Sequence, residues 1–92
     1  MIAMTDVYRP DEKCPVRALD GGMVVMAPGG NQAHTLDELG TFIWQQLNGE
    51  RDLDEIVKNI CKEYEVSQDV AEGDLQEFVT EMAAAQIIQL TS

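Results

Sequence analysis

Residues 23–49 read MVVMAPGGNQAHTLDELGTFIWQQLNG, and the spacing of their apolar residues changes once along this stretch. Met23–Ala27 is an uninterrupted apolar run, which is followed by turn residues at 28–31. A short apolar run bounded by Gly and Pro is typical of a strand, and Gln32–Leu36 follows as a further candidate. From Thr35 onward the apolar residues recur at helical spacing. The stretch therefore predicts two strands followed by a helix.

The sequence before this stretch predicts one more strand. Val16–Leu19 is a short apolar segment that ends at the turn residues 20–22. Three strands joined by short Gly-rich turns indicate an antiparallel β-meander. Residues 1–14 are polar and lack periodicity, so we expect a flexible N-terminal arm there and a folded domain over residues 15–92.

Three helices are predicted after the strands. Thr35 and Glu38 form a capping-box pattern at the start of the first helix, and Asp52 opens a second box of the same type. The third helix starts at Ser67 or Asp69, and its predicted apolar face consists of Val70, Leu75, Phe78, Val79 and Met82. Strands followed by helices indicate an α+β fold, winged-helix-like, with a three-stranded antiparallel sheet followed by a three-helix bundle.

Charge limits the partners that this chain can bind. It has 92 residues with 17 acidic and 6 basic side chains, a formal charge of -11. Residues 1–33 contribute 4 acids and 3 bases (-1), whereas residues 34–92 contribute 13 acids and 3 bases (-10). Phosphates repel such a surface, so we expect neither nucleic acid nor membrane as a partner.

The sequence also predicts a cytoplasmic location. We find neither a signal-peptide pattern at the start nor an apolar run long enough for a membrane span. Cys14 and Cys61 are far apart in the chain, which suits two free thiols in a reducing compartment better than a disulfide.

The motifs that are typical of catalysis or metal binding are missing from the sequence. A single His and two distant Cys do not make a structural zinc site. The acidic run that begins at Asp52 has Val57 where a calcium loop needs Gly. Gly29-Gly30 lacks the Lys and Ser/Thr of a phosphate-binding loop. We therefore expect no enzyme, no catalytic residue, no metal and no cofactor.

An ordered set of five segments lies within Gly22–Leu90: Met23–Pro28, His34–Glu38, Ile43–Gly49, Asp54–Val57 and Asp74–Met82. This set resembles the PqqD family, whose small domains are also called RiPP recognition elements (RiPPs are ribosomally synthesised and post-translationally modified peptides). It implies a non-catalytic peptide chaperone that binds the leader segment of a precursor peptide. The chaperone would present that leader to a radical SAM maturase, in pyrroloquinoline quinone (PQQ) biosynthesis or in a related pathway.

The resemblance also implies a binding site. The leader is expected to join the sheet as an extra strand beside the third strand, in a groove closed by the third helix. Mapped onto this sequence, the peptide-binding residues are Asn31, Gln32, Ala33, His34, Thr35, Leu36, Leu75, Phe78, Val79 and Met82. An acidic rim of Asp74, Glu77 and Glu81 is expected to favour a peptide or enzyme surface that carries Lys or Arg.

Two other functions remain open at this point. The first is an acidic protein-docking module that uses the third helix and needs no leader peptide. The second is a degenerate winged-helix DNA-binding protein, which is disfavoured because residues 63–81 contain seven acids and no base. An unpaired sheet edge is compatible with a monomer or a weak homodimer.

Overall fold

The structure is a computed structural model that describes residues 2–30 and 32–91. Its elements are β1 (Tyr8–Pro10), β2 (Val16–Leu19), β3 (Gly22–Met26), β4 (Ala33–Leu36), α1 (Glu38–Gln46), α2 (Leu53–Tyr64), α3 (Gln68–Ala84) and β5 (Ile88–Leu90). An antiparallel sheet has the order β2-β3-β4, and β1 and β5 form a separate antiparallel pair. The α+β class, the three-stranded meander and the three helices are thus confirmed.

One face of the three-stranded sheet is directed toward the helices. Its central strand β3 alternates between buried and half-buried residues, with Met23 and Val25 buried. In β4, Leu36 lies opposite Met23, and His34 lies opposite Val25. Residues directly opposite each other share a face of the sheet, so His34 and Leu36 both point toward the helices.

The start of α1 differs from the prediction. The N-cap is Asp37, whose Oδ1 accepts a hydrogen bond from the backbone N–H of Gly40 at 2.8 Å. Thr35 instead lies within β4, opposite Val24. Because Thr35 is paired within the strand, two positions before the N-cap, its side chain does not cap the helix. The capping box predicted at Thr35 and Glu38 is therefore wrong by two positions.

The other two helices begin where the sequence indicates. Asp52 Oδ1 accepts from the N–H of Glu55 at 2.9 Å, and Ser67 Oγ accepts from the N–H of Val70 at 3.3 Å. Both residues are N-caps with extended backbone, as the capping pattern requires. None of the helices in the described parts of the chain combines the length and the apolarity needed to cross a membrane.

The buried face of α3 is rotated from the predicted one at its start. Ala71 is fully buried there, whereas Val70 is 51% exposed. The predicted Leu75, Val79 and Met82 are buried in the core. Ala71 is four residues before Leu75 and eight before Val79, so it continues their stripe along the helix. Val70 points outward because it is one position off this stripe.

The N-terminal segment is not the flexible arm that the sequence analysis expected. Tyr8 pairs with Leu90 in the β1–β5 ladder and is 8% exposed. Cys14 is buried as well, and its Sγ lies 3.9 Å from the carbonyl oxygen of Ile87. Local composition could not show this order, because the partner strand comes from the opposite end of the chain. Cys14 and Cys61 are both free thiols, as expected.

Candidate functional site

One edge of the three-stranded sheet has backbone groups free to pair with another strand. β4 is an edge strand, and within the described residues β3 is the strand that pairs with it. The N–H of Ala27 donates to the carbonyl of Gln32 at 2.8 Å, which marks these two residues as a hydrogen-bonded pair. Because such pairs alternate along an antiparallel ladder, His34 and Leu36 direct their backbone groups toward β3. Ala33 and Thr35 therefore direct their N–H and C=O groups outward.

A groove runs along this free edge between β4 and α3. Its first part, here called the strand compartment, has a volume of about 420 Å³. The strand compartment is lined by Ala33, His34, Thr35, Leu36, Asp37, Gly40, Phe78, Glu81 and Met82. Leu36, Phe78 and Met82 supply apolar surface next to the unpaired backbone edge. The geometry is suited to an extended peptide whose side chains alternate between the groove and solvent.

The groove continues past the end of β4 to the first turns of α1. This second part, here called the helix compartment, has a volume of about 290 Å³. It is lined by Asp37, Leu39, Gly40, Ile43, Asp74, Glu77, Phe78 and Glu81. Because Asp37, Gly40, Phe78 and Glu81 line both parts, the two compartments form one continuous edge groove.

Gly40 allows the helix compartment to form. A Cβ atom at this position would lie 3.2 Å from Leu36 Cβ, 3.3 Å from Asp37 Oδ1 and 3.6 Å from Phe78 Cε2. A larger residue would therefore compete with these neighbours for space at the junction of β4, α1 and α3. The cap at Asp37 marks the change from strand to helix at the same point.

Five of the ten residues predicted to bind peptide lie on β4 or directly before it. Ala33 and Thr35 are exposed, His34 is half-buried and Leu36 is 5% exposed, and all four line the strand compartment. Gln32 is exposed just before β4. Asn31 lies outside the described residues.

The four predicted residues on α3 divide into two pairs. Phe78 and Met82 line the strand compartment. Leu75 and Val79 are fully buried in the core and do not line either compartment, so the prediction that they form the floor or wall of the groove is corrected. All four share the helical spacing of an apolar face, but only Phe78 and Met82 are on the side that turns toward β4.

The predicted acidic rim lies along the α3 side of the groove. Asp74 and Glu77 line the helix compartment, and Glu81 lines both compartments. All three residues are exposed. Within residues 2–30 and 32–91 neither Asp74 nor Glu77 is part of a salt bridge, and α3 itself carries no Lys or Arg. The rim therefore gives this side of the groove uncompensated negative charge.

His34 is the one residue of the groove with an unsatisfied buried nitrogen. Its Nε2 is inaccessible to solvent and has no hydrogen-bond partner in the described part of the chain. Its Nδ1 lies 3.9 Å from Glu81 Oε1, beyond hydrogen-bond range. An unpaired buried polar atom is unfavourable for folding, and such atoms are most often retained at sites with a function.

Sequence reasoning missed the residues that α1 contributes to the groove. Leu39, Gly40 and Ile43 follow one another at the spacing of an apolar helix face, and a capping box that begins at Thr35 puts Asp37 inside the predicted helix. One signal in the sequence was available. Gly40 stands within a helical apolar stripe, where Gly costs stability relative to Ala unless close packing requires it.

The described residues of the groove form no cluster typical of a metal site. Within the described ranges, no three His, Cys, Asp or Glu side chains are grouped so as to hold a metal ion. The polar groups that do converge are the backbone edge of β4, His34 and the carboxylates of α3. This arrangement can bind an extended peptide through main-chain hydrogen bonds, side-chain pockets and charge.

Comparisons with known proteins agree with this geometry. The family model described as coenzyme PQQ synthesis protein D (PqqD) matches residues 22–88. A comparison with curated protein sequences gives no significant match. The matched range begins at β3 and ends in β5, so it includes β4 and α3, the two walls of the groove.

Two solved structures share the fold. TbiB1, determined in complex with the TbiA(beta) leader peptide, is 26% identical with a TM-score of 0.77, over 88% of this chain and 94% of that one. The PqqD truncation of Methylobacterium extorquens PqqCD, a functional and stand-alone RiPP recognition element solved by NMR, is 16% identical with a TM-score of 0.79. That likeness covers 97% of this chain and 95% of the other. From the family match and the shared fold, we conclude that this chain belongs to the PqqD family.

Proposed function

We propose that this protein is a non-catalytic peptide chaperone that binds the leader segment of a ribosomally synthesised precursor peptide. The leader adds as a strand to the free edge of β4 and is then presented to a radical SAM maturase, in PQQ biosynthesis or in a related peptide-modification pathway. Membership of the PqqD family and the likeness to RiPP recognition elements support a role in peptide recognition. The observation that carries the proposal is the free β4 edge beside an apolar groove.

Strand addition fits the chemistry of this edge. Ala33 and Thr35 each offer one outward N–H and one outward C=O, so a leader can form up to four main-chain hydrogen bonds with β4. Main-chain bonds hold any extended sequence, while Leu36, Phe78 and Met82 select for apolar side chains on its inward face. The likeness to TbiB1, a protein solved in complex with a leader peptide, supports a leader peptide as the ligand.

A pair of proline variants tests strand addition. Ala33→Pro removes one outward N–H from the β4 edge, and Ala18→Pro is its matched control. Met26 of β3 donates its N–H to the carbonyl of Pro15, directly before β2, at 2.9 Å. By alternation, Ala18 of β2 directs its backbone groups away from β3, at the opposite edge of the sheet. In each variant, proline replaces an exposed alanine and removes its outward backbone N–H. Neither substitution removes a hydrogen bond between strands of the sheet.

The measurement is an amide-resolved NMR titration of labelled protein with a precursor peptide encoded beside its gene. We expect shifts at residues 32–36 and along α3, a loss of binding in Ala33→Pro by about tenfold or more, and unchanged binding in Ala18→Pro. Binding that persists in folded Ala33→Pro with shifts confined to α3 would favour the acidic docking module instead.

Presentation to a maturase has a separate test. The radical SAM enzyme encoded with the precursor is mixed with tagged protein, with and without the leader peptide, and the captured complex is measured. We expect capture of the enzyme and of the peptide together. Failure of the enzyme to bind in either case would contradict the presentation step, while leader binding would still be judged by the proline pair.

A further inference from the structure

The two compartments of the edge groove share Asp37, Gly40, Phe78 and Glu81 and differ in the residues that line only one of them. Beside β4, the strand compartment offers the apolar side chains of Leu36, Phe78 and Met82 next to the backbone edge. Beside α1, the helix compartment has an apolar floor from Leu39 and Ile43, with carboxylates above it. An apolar floor with a charged rim is suited to a side chain that has an aliphatic stem and a cationic end.

The carboxylates of the helix compartment come from two elements. Asp74 and Glu77 lie on the exposed side of α3, and Asp37 lies across the groove at the start of α1. Oδ1 of Asp37 caps the helix, whereas the described residues form no salt bridge with Asp74 or Glu77. A Lys or Arg of the ligand would meet complementary charge here, and an Asp or Glu would meet repulsion.

The alternation of side chains along an added strand determines which peptide residues can enter the two compartments. Side chains of a strand alternate between its faces, so every second residue of a peptide bound to β4 faces the groove. The strand compartment lies beside β4 and the helix compartment begins at Asp37, directly after Leu36. Two peptide side chains that occupy the two compartments are therefore separated by an even number of positions, for a parallel or an antiparallel peptide.

On the basis of the proposed function, we infer that the edge groove selects leader peptides with an apolar residue and a Lys or Arg separated by two or four positions. The apolar residue occupies the strand compartment. The basic residue extends its stem over Leu39, Ile43 and Phe78 and places its charged end between Asp74 and Glu77. The substrate class is thus an extended peptide with one basic anchor at the α1 end of the groove.

Random dodecapeptides displayed on phage provide the probe for this inference. The bait proteins are the unchanged chain, the double variant Asp74→Asn/Glu77→Gln, and the control Glu12→Gln/Glu63→Gln. The control removes the same charge from exposed side chains that do not line either compartment. We expect the unchanged chain and the control to enrich Lys or Arg two or four positions from an apolar residue. The Asp74/Glu77 variant should retain the apolar preference and lose the basic one.

Synthetic peptides from the selected pool give the quantitative test. Replacing the basic anchor by Gln should weaken binding roughly three- to tenfold at low salt, and half-molar salt should reduce that difference. Moving the same Lys by one position, which leaves the composition unchanged, should weaken binding as much as its removal.

The outcomes separate the two proposals. Selected peptides with apolar anchors but no basic preference, or with Lys at odd and even spacings alike, would overturn this inference and leave strand addition intact. Selected peptides that still bind Ala33→Pro would overturn strand addition, and with it the inference. Loss of the basic preference in the Asp74/Glu77 variant alone, together with loss of binding in Ala33→Pro, would support both.

Discussion

Nδ1 of His34 lies 3.9 Å from Oε1 of Glu81, so the free edge strand and α3 face each other across the strand compartment. The side chain of His34 is 16% exposed, whereas that of Glu81 is 62% exposed. The distance is too long for a hydrogen bond, and Nε2 of His34 has no partner among the described residues. The unpaired imidazole therefore lowers the free energy of unfolding, and a hydrophobic side chain at this position would avoid that loss.

Replacing this imidazole should stabilise the protein. For His34→Leu we expect the free energy of unfolding to rise by about 1 kcal/mol, because a buried nitrogen without a partner is removed and the apolar surface of the groove is kept. Urea denaturation followed by circular dichroism measures the change. A loss of stability of comparable size would show that His34 has a favourable partner in solution.

The two kinds of apolar residue on α3 should respond differently to truncation. Leu75 is fully buried, so Leu75→Ala should lower the free energy of unfolding by about 2–5 kcal/mol. Phe78 is half-buried and lines both compartments, so Phe78→Ala should lower stability less and weaken peptide binding more, by about tenfold or more.

Urea denaturation and fluorescence anisotropy with a labelled leader peptide measure these two effects on the same samples. Leu75→Ala should bind the peptide with near-normal affinity under conditions in which it is folded. Equal losses of affinity in the two folded variants would show that truncation of Leu75 disturbs the groove as much as truncation of Phe78.

The contrast between Leu75 and Phe78 shows what periodicity can predict. Helical spacing placed both residues on the apolar face of α3, and both do contact the core cluster. It could not show which part of that face stays partly open, because this depends on where β4 ends and α1 begins. The three strands of the meander and the three helices that follow them needed only local sequence and were predicted correctly, whereas β1 and β5 were not predicted.

The errors have two physical causes. Thr35 and Asp37 are both good N-cap residues, and the choice between them was made by the pairing of Thr35 with Val24 in the sheet. The pairing of Tyr8 with Leu90 joins residues at opposite ends of the chain. Neither contact is encoded in the local pattern of apolar residues.

Two glycines in different environments give a test of the β3–β4 pairing. A Cβ on Gly22 would clash with the backbone oxygen of Leu36, which cannot move without disturbing the strand that borders the groove. We expect Gly22→Ala to destabilise the protein by about 2–4 kcal/mol. Gly73 on α3 has open space around it, so Gly73→Ala should stabilise the helix by about 0.5–1 kcal/mol.

Thermal unfolding of both variants, with peptide binding measured beside it, checks these signs. Gly22→Ala should also weaken peptide binding, because Leu36 belongs to the strand compartment. Gly73→Ala should leave the affinity unchanged. A stable Gly22→Ala variant would mean that β4 can shift away from β3 at low cost.

Stability should decline at alkaline pH through the buried Cys14 thiol. Burial raises the pKa of Cys14 above its ordinary value of 9.0, and the carboxylate of Asp11 raises it further. Burial also raises the pKa of Tyr8 and of Tyr64 above 10.0, with smaller effects from nearby carboxylates. The neutral forms are therefore favoured by folding. Their contribution to stability is fully present below the pKa values of the unfolded protein. It is lost as the pH rises through the pKa values of the folded protein.

The measurement is the free energy of unfolding from neutral pH to about pH 10.5 in the presence of a reductant. We expect a decline that begins near pH 9, where the unfolded thiol first ionises. Cys14→Ala should flatten the first part of this decline, even if the lost packing lowers stability at every pH. Cys61→Ala, which removes the less buried thiol, is the matched control for the loss of one cysteine. Identical pH profiles for Cys14→Ala and the unchanged chain would show that Cys14 ionises as readily in the folded protein as in the unfolded one.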